Sequence, residues 1–119
     1  MVQLGYIVRP ELMFNKEYVY VTSVSKTADR HFEGYAEDVM SRFCKGGDFV
    51  VEIGSNDGTL LKHFKSRGAR VLGVDPSRAA MMAVKNSIET VNELFTESRA
   101  REIASSHGKA QAIVGANVF

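Results

Sequence analysis

The spacing of apolar positions changes near residue 46, and that change divides the chain in two. Ahead of it lie two β-like runs, VQLGYIV (2–8) and EYVYVTSV (17–24), separated by Pro10 and a polar turn at Asn15 and Lys16. From Ala28 to Cys44 the apolar residues fall at Phe32, Tyr35, Ala36, Val39, Met40 and Phe43, which is the stripe of an amphipathic helix. Ser25 or Thr27 can cap its start, and Gly46-Gly47 ends it.

After Gly47 short apolar runs alternate with helical stretches. DFVVEIG (48–54) reads as a strand, and residues 57–67, with Leu60, Leu61 and Phe64 on one face, read as a helix closed by Gly68. ARVLGVD (69–75) is a second strand, residues 77–86 a helix, and ETVNELF (89–95) a third strand. Thr96 caps a helix running to His107, and Gly108 stops it before AQAIVGANVF (110–119) forms a fourth strand. The first, second and fourth strands are apolar nearly throughout, as expected where helices cover both faces of a sheet. Right-handed crossovers then give an α/β, Rossmann-like open parallel sheet of about four strands, with a ligand crevice at the strands' C-terminal ends. The expected organisation is a lead-in of β segments over residues 1–27 and a partial Rossmann-like domain over 28–119, together one domain.

Composition narrows the partners. At 119 residues and 45% hydrophobic the chain can bury one core. Fifteen basic and fourteen acidic residues leave a net charge of +1, which is no footprint for nucleic acid or an anionic membrane surface. The single Cys44 excludes an internal disulfide framework and a cysteine-based metal cluster, and it suits a reducing compartment. No apolar run approaches the roughly 20 residues of a membrane helix, and no secretory pattern opens the chain. The expectation is a soluble, cytoplasmic protein without a bound metal.

The candidate chemistry lies at VVEIGSNDGTL (50–60), where the first strand ends and a helix starts. Backbone amides of residues 55–59 at a helix N-terminus favour a ligand carboxylate or phosphate. A dinucleotide loop would read G-x-G-x-x-G, its second glycine making room for a pyrophosphate. Here the order is Gly54, Ser55, Asn56, Asp57, Gly58, so that glycine is missing and an acidic residue stands in the turn. NAD and FAD are disfavoured. Asp75, 21 residues after Gly54 at the end of the second strand, is placed to accept hydrogen bonds from ribose hydroxyls. Glu52, Gly54, Gly58 and Asp75 together suit an adenosine cofactor with an amino-acid tail, S-adenosylmethionine. Taken singly, the same glycines also serve as plain turn and packing residues, Asn56 or Asp57 as a plain helix cap, and Asp75 before Pro76 as a turn residue.

The runs YVYVTSVSKTADRHF, VVEIGSNDGTLL, VLGVDPS and GKAQAIVGANVF, in that order, resemble the sugar C-methyltransferases. The resemblance runs from about Val2 to Phe119 and implies a class I methyltransferase domain that uses S-adenosylmethionine to methylate carbon 3 of nucleotide-linked 4-keto deoxysugars. It places Gly54, Ser55, Asn56 and Asp57 beside the methionine moiety, Asp75 on the ribose, and Asn117 on the adenine side, where Gly115 and Ala116 depart from the family's pattern. It also lays Tyr18 to Thr27 over the cofactor pocket, with Tyr18 or Tyr20 facing the transferring methyl. The family's cysteine-rich zinc domain has no counterpart among these residues, and the chain stops within the expected fourth strand, so the expectation is a truncated domain carrying the cofactor half.

C-methylation beside a ketone needs a base and a stabiliser for the enolate oxygen. The base itself is not identified. The candidates are Tyr18, Tyr20 and His31, with His31 better suited to a partly exposed helix end than to the pocket. His63 is expected to face solvent and His107 to favour a helix C-terminus, while Met40, Met81 and Met82 are expected to fill the core. Lys62, Lys65, Arg67 and Arg70 read as one basic cluster on a solvated face. The edge AIVGANVF predicts pairing with a second copy in a homodimer, or cover by the lead-in strands. Two functions follow: the cofactor-binding portion of a methyltransferase with a nucleotide-sugar substrate, or a non-catalytic α/β module that self-associates through its open edge.

Overall fold

A computed structural model describes residues 8, 9, 12, 21, 22, 25–116 and 118. The lead-in runs, with Tyr18 and Tyr20, and the candidate Asn117 lie largely or wholly outside the described residues.

Helix α1 spans Lys26–Phe43, and the Ser25 side chain accepts the amide of Ala28 at 3.2 Å. It ends at Cys44, whose extended backbone still donates to the Met40 carbonyl, two residues before Gly46. The predicted stripe buries Ala36 and Met40, while Tyr35 and Phe43 stay exposed. Strand β1 (Phe49–Ile53), helix α2 (Thr59–Ser66), strand β2 (Arg70–Val74) and helix α3 (Ala80–Lys85) follow. Strand β3 (Thr90–Val91), helix α4 (Glu97–His107) and strand β4 (Ala112–Val114) complete the order. Thr96 caps α4 by accepting the Arg99 amide, as its position predicts.

The four strands form one parallel sheet in the order β3-β2-β1-β4. The chain moves from β1 to β2 to β3 on one side and then crosses to β4 on the other, so β1 and β4 flank the topological switch point. Because side chains alternate along a strand, Val50 packs with α1 and α2 in a core of Ala36, Leu60, Leu61 and Phe64. Phe49, Val51, Leu72 and Val74 face the other way, onto Ile103 of α4. Glu52 shares the Val50 face.

Several expectations need correction. The third and fourth strands are two and three residues long, not the seven and ten that their apolar runs suggested. Strand pairing stops at Val114, so Gly115 and Ala116 leave the sheet. His63 is buried rather than solvent-facing, because α1 covers that side of α2 and Asp29 Oδ1 meets His63 Nε2 at 2.9 Å. Met81 and Met82 do not fill the core: α3 is a single short helix that buries only Ala80 and Ala83, leaving Met81 61% exposed. The basic residues do lie on a solvated face, with Lys62, Lys65 and Arg70 exposed, but each has its own acceptor. Lys62 donates to Asp29, Lys65 to the Ser87 carbonyl, Arg67 to the His63 carbonyl and Arg70 to the His107 carbonyl.

Candidate functional site

The loop between β1 and α2 carries three residues in the left-handed region: Gly54 at φ 69°, Asn56 at 51° and Gly58 at 78°. Glycine is required at two of them by close neighbours as well as by φ. A Cβ on Gly54 would lie 2.6 Å from Val118 Cγ2, and one on Gly58 3.1 Å from the Ile88 side chain. Gly58 takes the N-cap position of α2 and offers no side chain there, so Asp57 supplies the cap from one residue earlier. Its Oδ1 accepts the Thr59 amide at 3.2 Å and the Thr59 hydroxyl at 2.7 Å.

The amides of this loop are mostly taken up by the protein itself. Ser55 N donates to the Val74 carbonyl, Gly58 N to the Ser55 carbonyl, and Asn56 N to Asp75 Oδ2 at 2.8 Å. With Thr59 N on Asp57, four of the five amides that could have faced a ligand anion already have acceptors. A phosphate cradle is not what this turn offers.

Asp75 is buried and braces the site. Its Oδ1 accepts Ser77 N at 2.7 Å and Ser77 Oγ at 2.5 Å, while Oδ2 holds Asn56. Asn92, just past β3, donates through Nδ2 to the carbonyls of Asp75 and Ser77, both at 2.8 Å. Sequence reasoning missed Ser77 and Asn92. The available signal was their place, since each follows a strand end on the crevice side. Thr22, within the Tyr18 to Thr27 segment expected over the pocket, meets the loop through its backbone amide, which donates to Asn56 Oδ1 at 3.1 Å.

Two buried polar atoms here have no hydrogen-bond partner, Glu52 Oε2 and Ser55 Oγ. Glu52 is 3% exposed near the sheet centre, in register with Gly73 on β2 and Val114 on β4. Burial, then the nearby charges of Asp75 and Asp57, push its carboxyl well above the usual range. Ser55 occupies the space above Gly73, where a Cβ would come within 2.3 Å of its Oγ. Among the described residues, no group of three His, Cys, Asp or Glu side chains is placed to hold a metal ion. His31 is exposed on α1 with its ring tilted against Phe32, so the structure does not join it to this loop.

The site therefore gathers Glu52, Gly54, Ser55, Asn56, Asp57, Gly58 and Asp75 at the C-terminal ends of β1 and β2, beside the switch point. No family model matches the chain. Over 98% of its length it is 36% identical to the C-methyltransferase NovU of Streptomyces niveus. The chain is a homologue of a C-methyltransferase. Over 52% of its length it is also 39% identical to a ubiquinone biosynthesis O-methyltransferase of Bradyrhizobium diazoefficiens. It spans 28% and 23% of the lengths of these two relatives. Among solved structures, the magnesium protoporphyrin IX methyltransferase ChlM of Synechocystis, with bound SAH, matches 76% of this chain and 42% of its own. The TM-score is 0.55 at 16% identity, a likeness of fold, and that fold is the class I, Rossmann-like methyltransferase fold. Among the described residues no helix is long and apolar enough to cross a membrane.

Proposed function

We propose that this chain is the S-adenosylmethionine-binding portion of a cytoplasmic C-methyltransferase acting on a nucleotide-linked keto deoxysugar. One observation carries the cofactor assignment: a buried carboxylate oxygen and a buried hydroxyl, Glu52 Oε2 and Ser55 Oγ, lack partners where the crevice of this fold opens. An amino-acid tail supplies what they lack, an ammonium donor for Glu52 and a carboxylate acceptor for the Ser55 hydroxyl. Asp57 and the internally satisfied amides disfavour a pyrophosphate in the same place. When bound, the cofactor supplies an electrophilic methyl group on a sulfonium.

The residues of this chain divide the remaining work. Gly54, Gly58 and Gly73 keep backbone and side chains close enough to shape the turn. Asp75 holds the loop through Asn56 N, and one lone-pair direction of its carboxylate stays available to a ribose hydroxyl beyond the three donors it accepts. C-methylation rests on the 36% identical relative, and the sugar and the base that deprotonates it on the motif resemblance. His63 is bound to Asp29 and His107 to Glu89 beyond the opposite end of β1, while His31 is exposed on α1. Tyr18 and Tyr20 remain the candidates to face the methyl group.

Titration calorimetry with S-adenosylmethionine and S-adenosylhomocysteine tests the reading. Saturable binding is expected; a folded protein that gives no heat at millimolar ligand refutes it. That outcome would favour the second reading, a non-catalytic module that self-associates, for which the observation is Ile113, 61% exposed on the edge strand β4. Light scattering of the unliganded protein separates a dimer from a monomer.

A further inference from the structure

Three carboxylates share the C-terminal end of β1 and β2, and the chain treats them unequally. Asp75 accepts three hydrogen bonds and Asp57 accepts two from Thr59, so both carboxylates have donors. Glu52 Oε2 has none, and the residue is 3% exposed. Its register neighbours, Gly73 and Val114, bring no side-chain donor. Among the described residues, the charged groups that act on it are Asp75, from the end of β2, and Asp57, from the turn before α2, and both are acidic. An ionised carboxylate buried without a donor beside two like charges is the costliest of the three to keep. Glu52 is therefore the member of the cluster on which a proton costs least.

We infer that Glu52 is a proton switch linked to ligand binding: neutral in the free protein, it loses its proton to solvent when a ligand ammonium arrives at Oε2. This rests on the cofactor reading given above. The balance is simple. The ligand keeps its three ammonium protons and donates one hydrogen bond, the Glu52 proton passes to the buffer, and the new ion pair replaces an orphaned oxygen. Linkage then requires affinity to fall as the pH is lowered below the free-state pKa of Glu52, by up to about tenfold per pH unit.

S-adenosylhomocysteine is the probe, titrated calorimetrically into the full chain in buffers of different ionisation enthalpy. The expected slope corresponds to about one proton released per ligand bound. Glu52→Gln, which keeps the shape of the neutral carboxyl, is expected to bind without proton release and with pH-independent affinity. 5′-Methylthioadenosine, which lacks the amino-acid tail, should bind without releasing a proton. An infrared difference spectrum should show a carboxylic-acid carbonyl band that disappears on binding and is missing from the variant. Binding without proton release, or equal release from the variant or with methylthioadenosine, overturns the switch and leaves the cofactor reading standing. Failure of S-adenosylhomocysteine to bind overturns both.

Discussion

The two ends of β1 and β2 are built to opposite rules. At the N-terminal end, the Phe49 ring stacks on His107 with centroids 5.6 Å apart, and the Arg70 guanidinium lies 5.2 Å from the same ring. Backbone pairs close that end: Gly47 N on Gly68 O, Arg70 N on Asp48 O, and Gln111 N on Phe49 O. At the C-terminal end of the same strands, a carboxylate oxygen and a hydroxyl are buried without partners. Buried polar groups are almost always satisfied in native proteins, so one end reads as structure and the other as a place reserved for something else.

The sharpest way to break this contrast is at Phe49. Phe49→Ala should lower stability by about 3–5 kcal/mol, the usual range for deleting a buried aromatic side chain. Urea unfolding measures that loss, and the folded fraction should bind S-adenosylhomocysteine as the parent does; a parallel loss of affinity would mean that the two ends are not independent. At the other end, Asp75→Ala strands the donors of Asn56 and Ser77 and should cost about 1–3 kcal/mol of stability. It should weaken binding by a similar amount, and unchanged affinity in calorimetry would reduce Asp75 to a brace.

Glu52→Gln should move stability the other way, upward by about 1 kcal/mol at pH 7. The folded state favours the neutral carboxyl, so the stabilising contribution of that carboxyl is fully present below the ordinary glutamate pKa and is lost as pH rises through the raised folded value. Thermal melts of the two proteins should converge in acid and separate toward neutrality. The smallest effect belongs to Asp29→Asn. Hydrogen bonds from Lys62 and His63 hold the Asp29 carboxyl below its usual range. Its contribution is therefore present at neutral pH and lost as pH falls through the lowered value. Lys62 and Asp29 are about half exposed, so the loss should stay below about 1 kcal/mol and shrink with added salt in chemical denaturation.

Much of the fold was legible because it rests on local signals. Ser25 and Thr96 cap the helices their positions predicted, and the apolar runs of β1 and β2 lie in register from Phe49↔Arg70 to Ile53↔Val74. What was not legible depends on which surface meets which. The polar side of α2 looks solvated until α1 lies over it and pairs Asp29 with His63. The methionines of α3 look like core until Gly58 lets Ala83 approach and take that place. At the site, the glycines and acids were visible at their spacing, but the competition for the loop amides was not. Nothing in GSNDG announces that Asp75, 19 residues beyond Asn56, will claim the Asn56 amide.

Asn56 is held from both sides. Its N–H is gripped by Asp75 from β2 and its side-chain carbonyl by Thr22 from the segment ahead of α1, while its own backbone is bent into the left-handed region. One residue thus acts as a rivet through three separate stretches of chain. A displacement of the turn by an arriving ligand would be transmitted to Thr22, outside the sheet, and a reporter group attached near Thr22 would register occupancy of a pocket it never touches.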